Sequence, residues 1–324
     1  MLQLKPSVKI NKNNLTSCCK TGAIVKFLFL VKCEIRLHPP AGVNQKPQRQ
    51  GKNRYTLKMK SAMSNNSSKA RLIEVFSAIQ GEGLNVGMRQ IFIRFAICDL
   101  RCHFCDSSHT WGAPPTCTIE KTPGRRDFEL HSNPVTLENI LEWVERQNKP
   151  GLHDSITLTG GEPLLHAPIL VQFLPQVRAL TKLPIYLETG GHRPQQLAMV
   201  LPYIDSVGMD IKLPSVSGEN HWQAHAEFLQ RCYKSRVEVF VKLIVSNRTN
   251  PGELKQAAEL VAACDPTIPV FLQPVTAINL SDKLGCAPVY PPDPDQLLAW
   301  QGLMKQSLKQ VRAIAQTHKM IGQL

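Results

Sequence analysis

Short apolar runs and longer amphipathic stretches alternate along the chain from residue 71 to residue 315. The runs are rich in β-branched and aromatic residues, as strands are, whereas the stretches repeat apolar residues at the spacing of a helix. Strands and helices that alternate in this way form right-handed βαβ crossovers around a parallel sheet. We therefore predict an α/β fold with strands at 72–76, 91–95, 155–158, 185–187, 206–211, 237–245, 270–272 and 311–315.

The number of strands limits the architecture. Six of them fall between residues 91 and 272, whereas a closed barrel of the standard kind needs eight. A doubly wound sheet would place a glycine-rich phosphate turn after its first strand, but here the strand at 91–95 runs into cysteines. We predict a long loop at 112–134 and helices at 137–147, behind a Thr136 cap, and at 169–180, 195–201, 222–233, 252–263 and 296–309.

The formal net charge of +13 is concentrated at the amino end of the chain. Residues 1–70 hold fourteen Lys or Arg and one acid, so the rest of the chain is neutral. A nucleic-acid groove needs its basic residues on a folded surface, and this segment, rich in Asn, Gln, Lys and Pro, lacks a steady period. We predict a basic, disordered and dispensable leader at 1–69 with Met63 as the working start, a functional domain at 70–324, and no nucleic-acid partner.

Hydropathy and cysteine usage indicate the compartment. The longest apolar patch, residues 23–31, is interrupted by Lys26 and is far shorter than the roughly 18 residues of a membrane span. It also starts too late for a secretory signal peptide, and no small-residue cleavage site follows it. The ten cysteines are too few and too irregular for a disulfide scaffold. We predict a cytoplasmic protein without a membrane partner.

Three cysteines directly after the strand at 91–95 carry the strongest chemical signal. Cys98, Cys102 and Cys105 have C-x3-C-x2-C spacing, and three thiolates on one loop can hold three irons of a 4Fe-4S cluster, leaving the fourth iron open for a small molecule. A zinc site completed by His103 or His109 is the alternative, because zinc takes mixed Cys and His ligands. The other cysteines of the domain have no ligand spacing and are interpreted as small buried hydrophobes: Cys117, Cys232, Cys264 and Cys286.

With the aromatic Phe104 before its last cysteine, the loop resembles the signature of the radical S-adenosylmethionine (SAM) superfamily. The segment Thr159-Gly160-Gly161-Glu162-Pro163, which follows the next strand, resembles the superfamily motif that holds the amino group of SAM. The resemblance implies a partial (β/α)6 barrel in which the open iron binds SAM. An electron then cleaves the sulfonium bond, and the resulting 5′-deoxyadenosyl radical abstracts hydrogen.

Further stretches of the domain are similar, in the same order, to the 7-carboxy-7-deazaguanine synthase family within that superfamily. They are residues 76–83, 93–95, 105–107, 188–191, 209–214, 272–275 and 316–319. The resemblance implies a lyase of queuosine and deazapurine biosynthesis that converts 6-carboxy-5,6,7,8-tetrahydropterin to 7-carboxy-7-deazaguanine with loss of ammonia. It also implies Mg²⁺ as a further cofactor, a homodimer, and a reductant protein such as flavodoxin or ferredoxin.

The same resemblance implies a role for each site residue, with the radical chemistry carried by the cofactor and by no catalytic side chain. Arg94 can pair with the substrate carboxylate, and Glu82 can accept hydrogen bonds from the pterin edge. Ser107 replaces the more usual threonine as the Mg²⁺ ligand and keeps the hydroxyl that this cation prefers. The implied substrate residues are Ile79, Gln80, Gly81, Glu82, Arg94, Thr159 and His318; the cofactor residues are Phe104, Asp106, Gly161, Glu162, Glu188, Asp210, Lys212, Gln273 and Pro274; the metal ligands are Cys98, Cys102, Cys105 and Ser107.

Two other functions compete with this interpretation. An activase that generates a glycyl radical on a partner protein shares the cysteine loop, but it gives no reason for the segment Gln80-Gly81-Glu82-Gly83. A zinc-stabilised RNA-binding module is disfavoured, because the domain is neutral and does not interleave aromatic with basic residues.

Overall fold

The computed structural model describes residues 69–277 and 288–323. Residues 1–68 of the leader predicted at 1–69, and Cys286, lie outside the described residues. The described strands are β1 Lys69–Ala70, β2 Leu72–Ile79, β3 Arg89–Phe95, β4 Thr116–Glu120, β5 Phe128–Ser132, β6 Val135–Thr136, β7 Ser155–Gly160, β8 Ile185–Thr189, β9 Ser206–Asp210, β10 Glu238–Val245, β11 Val270–Pro274 and β12 Val311–Ala313. The described α-helices are α1 Leu137–Gln147, α2 Ala167–Thr181, α3 Pro194–Val200, α4 Pro214–Ser217, α5 Trp222–Ser235, α6 Pro251–Cys264, α7 Pro294–Met304 and α8 Thr317–Met320.

Ten of these strands form one sheet, in the order β12-β11-β10-β9-β8-β7-β3-β2-β4-β5. The neighbours from β3 through β7, β8, β9, β10 and β11 to β12 are all parallel. Helices connect most of them, as parallel strands require. The six strands predicted between residues 91 and 272 are confirmed, and so is the α/β class, with an open and largely parallel sheet such as the predicted partial barrel requires.

The prediction of a long loop at 112–134 is wrong. β4 and β5 form an antiparallel hairpin there; β4 runs parallel to β2, and β5 is the edge strand of the main sheet. Cys117 and Ile119 are buried while the residue between them is more exposed, which is the period of two that a strand needs. The Glu120 carboxylate anchors the hairpin by accepting a hydrogen bond from the Ser77 amide over 2.9 Å. Prolines on both sides of β4 obscured this pattern in the sequence.

Local sequence signals fix helix starts better than helix ends. α1 has the predicted bounds, and the Thr136 side chain accepts a hydrogen bond from the Asn139 amide as its cap. α7 begins with a capping box at Asp293 but ends at Met304, earlier than predicted, because the chain turns there and buries Leu308 in the core. The short helices α4 and α8 were not predicted. No described helix combines the length and the apolar character that a membrane span needs.

The carboxyl ends of the parallel strands meet at one edge of the sheet, which is where barrels of this kind bind ligands. The strand register places Thr159 of β7 beside Arg94 of β3, and Lys242 of β10 beside Asp210 of β9. All four are polar residues at or near this edge. The fold therefore collects polar and charged side chains from separate strands around one space.

Candidate active site

One cavity gathers almost all of the predicted site. It has a volume of about 600 Å³ and is lined by residues at the ends of β3 and of β7 to β11. Every residue predicted to bind substrate, cofactor or metal lines this cavity except Pro274, which ends β11 without lining it. Residues as distant in the sequence as Ile79 and His318 are thus brought together.

The three cysteines of the predicted cluster line the cavity from the loop between β3 and a short 3-10 turn at Ser108–Thr110. The loop starts at Ile97, whose φ of 77° lies in the left-handed region that a β-branched residue rarely adopts. Three hydrogen bonds hold this conformation, including a longer one of 3.3 Å from the Ile97 amide to the Gly112 carbonyl. The Ile97 amide donates to the Thr110 carbonyl over 2.8 Å, and the Ile97 carbonyl accepts from the Glu162 amide over 2.9 Å. The backbone that presents Cys98 is therefore fixed from both sides.

The described donors do not form a ready site for a single zinc ion. Among residues 69–277 and 288–323, no three Cys, His, Asp or Glu side chains converge closely enough to bind one metal ion. A 4Fe-4S cluster does not need such convergence, because each thiolate binds a different iron. His103 is engaged elsewhere, since its ring packs against Gly218, where an added Cβ would lie 2.6 Å from Nε2.

Burial controls the ionisation of the cysteine thiols. It raises the pKa of Cys98 and of Cys102 to about 11, and it also raises the pKa of Cys105. The nearby Lys212 ammonium only partly opposes this effect at Cys102. Free thiolates are therefore disfavoured, and a bound cation would supply the positive charge that stabilises them. The thiols are suited to hold a metal group rather than to act as nucleophiles.

The glycine pair after β7 allows close contact with the cysteine loop. Gly160 has a φ of 135°, and an added Cβ would lie 2.2 Å from the Phe95 carbonyl oxygen. A Cβ on Gly161 would lie 2.2 Å from the Ile97 carbonyl oxygen. The sequence suggested that these glycines let the backbone approach a ligand. In the structure, these glycines let the turn after β7 pack against the backbone that leads into the cysteines.

The Glu162 carboxylate ties the end of β7 to the end of β8. It accepts hydrogen bonds from the Leu164 amide at 3.0 Å, the Thr189 hydroxyl at 2.8 Å and the Gly190 amide at 2.9 Å. These donors fix its orientation inside the cavity wall. The predicted contact between Glu162 and a cofactor stays a prediction.

Two lysines and two carboxylates form a buried charge cluster in the cavity. Lys212 donates to Asp210 over 2.9 Å, and Lys242 donates to Glu82 over 2.7 Å while lying 3.4 Å from Asp210. Burial alone would raise the pKa of Asp210 and of Glu82, but the neighbouring ammonium groups hold both values below the usual one. All four groups are therefore charged.

Lys242 was not predicted, although the sequence contains a signal for it. It lies in β10, where all residues from Val239 to Val245 are buried. A lysine in such an apolar strand is stable only when a partner compensates its charge. A single lysine inside this run therefore indicates a buried carboxylate opposite.

Two glutamines extend the polar lining. The Gln80 amide donates to Glu188 Oε1 over 2.9 Å, and its Oε1 accepts from the Glu82 backbone amide over 3.0 Å. Gln273 Oε1 is buried without a hydrogen-bond partner among the described residues. A buried acceptor without a donor is rare in proteins, so this atom fits a donor group of a bound cofactor.

The residues before and within α8 close one side of the cavity. Gln316 donates to Glu82 Oε1 over 2.8 Å and to Asp106 Oδ2 over 3.0 Å, and Lys319 donates to Asp106 over 2.6 Å. Burial alone would raise the pKa of Asp106, but Lys319 and Gln316 hold it at about 2. Gln316 and Lys319 were not assigned roles from the sequence, because nothing local shows that they contact the cysteine loop.

Gly81 gives α8 the space it needs. An added Cβ would lie 2.2 Å from His318 Nδ1 and 2.4 Å from the His318 amide nitrogen. The Gly81 carbonyl also accepts a hydrogen bond from the Thr317 amide over 3.0 Å. The predicted substrate residues Gly81 and His318 are therefore in direct contact.

Arg94 and Ser107 both have protein partners. Arg94 Nε donates to Glu74 over 2.6 Å, and its guanidinium carbon lies 5.6 Å from the centre of the Phe76 ring. Glu74 lines the cavity and was not predicted. The Ser107 hydroxyl donates to Asp106 over 2.9 Å and does not cap the following 3-10 turn.

Residues 92–261 match the Radical SAM superfamily. Over 258 residues, the chain is 45% identical to the 7-carboxy-7-deazaguanine synthase of Geobacter sulfurreducens, covering 79% of this chain and 98% of that protein. The chain belongs to the 7-carboxy-7-deazaguanine synthase family. The family member from Thermococcus kodakarensis is 32% identical over 221 residues, covering 65% of this chain and 85% of that protein. The crystal structure of QueE from Escherichia coli is similar with a TM-score of 0.48 and 18% identity, over 76% of this chain and 93% of that one.

Membership of the 7-carboxy-7-deazaguanine synthase family settles the alternatives left open by the sequence. The radical SAM superfamily match implies a 4Fe-4S cluster and SAM as cofactors, which favours the cluster over zinc, while the assignment of the three cysteines as its ligands stays a prediction. The synthase family match also rejects the glycyl-radical activase and the RNA-binding module.

Proposed function

We propose that this chain catalyses the conversion of 6-carboxy-5,6,7,8-tetrahydropterin to 7-carboxy-7-deazaguanine with loss of ammonia, in queuosine or deazapurine biosynthesis. One observation carries the proposal. The residues that the family resemblance assigns to substrate, SAM and cluster come from distant parts of the chain and line the same cavity. Its volume of about 600 Å³ lies within the range of small-molecule sites.

The substrate is proposed to bind between Arg94 and Glu82. Arg94 uses only Nε for its bond to Glu74, so the outer N–H groups of its guanidinium can form a two-pronged pair with the substrate carboxylate. Glu82 is charged, and a carboxylate has about four acceptor positions, which leaves sites for the N–H groups of the pterin edge. The remaining proposed substrate contacts are Ile79, Gln80, Gly81, Thr159 and His318.

Cys98, Cys102 and Cys105 would hold the cluster. When bound, the cluster and SAM supply the 5′-deoxyadenosyl radical that takes hydrogen from C6 of the substrate. The chain contributes binding and orientation. The Lys212 ammonium nitrogen lies 5.2 Å from the centre of the Phe104 ring. Lys212 and Asp210 together present a positive and a negative charge to a ligand. Pro274 is left out of the proposed SAM contacts because it does not line the cavity, which leaves Phe104, Asp106, Gly161, Glu162, Glu188, Asp210, Lys212 and Gln273.

Ser107 is proposed as the protein ligand of Mg²⁺. Its hydroxyl lies 2.9 Å from Asp106 Oδ1, so two oxygen groups of the kind that hard cations prefer are adjacent in the cavity. A cation there would orient the substrate carboxylate during the ring contraction. Serine lacks the methyl group that restricts the rotamer of threonine, so the hydroxyl must be oriented by its neighbours.

The working unit in this proposal is residues 70–324, with the basic leader dispensable and Met63 as the start. Family resemblance supports a homodimer in the cytoplasm that receives electrons from flavodoxin or ferredoxin. The neutral charge of the domain outside residues 1–70 supports a small-molecule substrate rather than a nucleic acid.

Arg94 provides the test. The reconstituted protein is incubated without oxygen with reductant, SAM and carboxytetrahydropterin, and the product is analysed by mass. In Arg94→Ala, pterin affinity should fall by about 30-fold or more, the effect of losing one partner of a charge pair in a closed site. Cluster content and slow, unproductive SAM cleavage should remain. Arg94→Lys should recover only part of the affinity, because it loses the planar two-pronged donor.

Arg231→Ala is the matched control. Arg231 pairs with Glu227 on the surface of α5, so its loss should leave pterin affinity unchanged. Unchanged pterin affinity in Arg94→Ala would remove Arg94 from the substrate site. Absence of 7-carboxy-7-deazaguanine from the wild-type reaction would contradict the proposed function itself.

A further inference from the structure

Lys242 is a buried cation without a role in the proposed reaction. Only 5% of the residue is exposed, and its neighbours in β10 are apolar. Its ammonium group donates to Glu82 over 2.7 Å and lies 3.4 Å from Asp210. Glu82 belongs to the turn after β2, and Asp210 ends β9. One side chain therefore joins the proposed substrate segment to the proposed cofactor segment.

The ionisation of the carboxylates around Lys242 depends on its ammonium group. The ionisable groups that face it are Glu82 from the turn after β2, Asp210 at the end of β9, Lys212 two residues after β9, and Glu188 and Tyr186 from β8. Asp106 of the cysteine loop acts on Glu82. Without Lys242, three carboxylates would face one ammonium group in a largely buried space. Asp210 would keep Lys212 as its partner, whereas Glu82 would keep only the neutral Gln316. A buried carboxylate without a cation tends to take up a proton.

We propose that Lys242 is a positioning residue for the substrate, which holds Glu82 as an oriented carboxylate that accepts hydrogen bonds from the pterin edge. The inference rests on the proposed function, because it requires a pterin as the ligand. Lys242 binds Glu82 Oε2, and Gln316 binds Oε1 over 2.8 Å, so the two donors together fix the plane of the carboxylate. Of the two, only Lys242 also supplies charge. Lys242 acts through Glu82 and not by touching the substrate.

This role has a pH signature. Burial alone would raise the pKa of Glu82, but Lys242 and Gln316 hold it below its usual value, so the wild-type carboxylate stays ionised from about pH 5 to 8. In Lys242→Met the burial is no longer opposed by a cation, and the pKa of Glu82 rises. The ratio of the pterin affinity of Lys242→Met to that of the wild type should therefore fall as the pH is lowered. It should recover as the pH is raised.

The experiment measures binding of 6-carboxy-5,6,7,8-tetrahydropterin to the reconstituted full-length protein as a function of pH. At pH 6, Lys242→Met should bind the pterin about tenfold or more weakly, because protonation of Glu82 removes the charge-assisted hydrogen bonds to the pterin edge. Lys242→Arg should recover most of the affinity and the level pH profile, because it keeps the charge. Lys255→Met is the matched control, since Lys255 is an exposed partner of Glu259 on α6, and it should bind like the wild type.

Glu82→Gln separates positioning from simple structural support. Glutamine does not ionise, so adding Lys242→Met to Glu82→Gln should change pterin affinity by less than about twofold, the sign of two residues that act through one contact. Cluster content and SAM affinity are measured on every preparation.

Three results would overturn the inference. They are a wild-type pH profile in Lys242→Met, additive losses in the double variant, and a loss of SAM affinity with pterin affinity intact. If Lys242→Met does not fold, failure of Lys242→Arg to restore pterin binding would also overturn it. Failure of the proposed function would be seen separately, because the wild-type protein would then not bind the pterin.

Discussion

The ionisable residues of the cavity differ in where their compensating charge comes from. Glu82 and Asp210 are ionised although burial opposes it, because Lys242 and Lys212 compensate their charge. Burial raises the pKa of Cys102 to about 11, since its surroundings do not supply enough positive charge. The carboxylates thus have their counter-ions within the protein, whereas the thiols need those of a cofactor.

Replacing a single cluster cysteine should abolish cluster binding. Two thiolates do not hold a cluster with one open iron, so Cys105→Ala should lose iron, visible absorption and SAM cleavage together. Iron and sulfide contents after anaerobic reconstitution measure this. Cys117→Ala is the control, because Cys117 is buried in β4 away from the cavity. It should keep the cluster and lose only about 1 kcal/mol of unfolding free energy. A full iron complement in Cys105→Ala would contradict the assignment.

Replacing Ser107 should affect magnesium and not iron. Ser107→Ala loses the hydroxyl proposed to bind the cation, so turnover should fall and most of the stimulation by Mg²⁺ should disappear, while the cluster spectrum stays intact. Ser107→Thr keeps the hydroxyl and restricts its rotamer, so it should work as well as the wild type or better. Turnover against Mg²⁺ concentration is the measurement. The same Mg²⁺ response in Ser107→Ala and the wild type would reject the role.

Among the elements, α8 depends most on polar contacts. None of its residues is buried, so apolar packing does not hold it in place. Its position is set instead by the bond from the Thr317 amide to Gly81 and by the bond from Lys319 to Asp106. These contacts join the substrate segment to the cysteine loop. Because Asp106 has a pKa of about 2, its pair with Lys319 is complete at neutral pH and is lost only as the pH falls towards that value.

Gly81→Ala should displace α8. The new Cβ would lie 2.4 Å from the His318 amide nitrogen, and backbone does not yield as a flexible side chain would. Overpacking of this kind costs about 1 to 3 kcal/mol. Pterin affinity should fall by about tenfold or more, while cluster content is kept. Pterin binding and iron content on the same preparation measure both effects.

Gly112→Ala is the control for this prediction. An added Cβ at Gly112 would have no heavy atom within 4 Å, so the variant should bind the pterin like the wild type. Equal pterin affinity in Gly81→Ala and Gly112→Ala would show that contact between α8 and Gly81 does not matter for the substrate.

At the scale of the whole molecule, the net charge and the fold come from different parts of the chain. The net charge of +13 comes from residues 1–70, and the remainder is neutral. The ten-stranded sheet that presents the cavity is built from residues 72–313. The basic character of the chain is therefore not a property of the domain that holds the site.

A chain that starts at Met63 should keep its activity. It retains every strand of the main sheet and every residue that lines the cavity, so its cluster content, pterin affinity and turnover should match those of the full chain. Its calculated isoelectric point should be far lower. Activity and solubility of the two chains, purified side by side, measure this. An insoluble or inactive shorter protein would show that the leader contributes to the fold.

Local patterns in the sequence determined the elements and part of the site. The period of apolar residues predicted the six parallel strands, and the Thr136 cap predicted the start of α1. The spacing of the cysteines predicted a cluster loop, because three thiolates eight residues or fewer apart share a loop whatever the rest of the fold is. These features depend on neighbours in sequence, so they can be read before the chain is folded.

The partners of the site residues were decided by the tertiary structure. Glu74 beside Arg94, Lys242 beside Glu82, and Lys319 beside Asp106 are pairs of residues on different elements. The hairpin at 112–134 was hidden for a related reason, since β4 finds its place by pairing with β2, and β5 by pairing with β4. Such contacts depend on sheet order and strand register, which bring together residues that the sequence separates. Burial then makes each charge depend on its new neighbour.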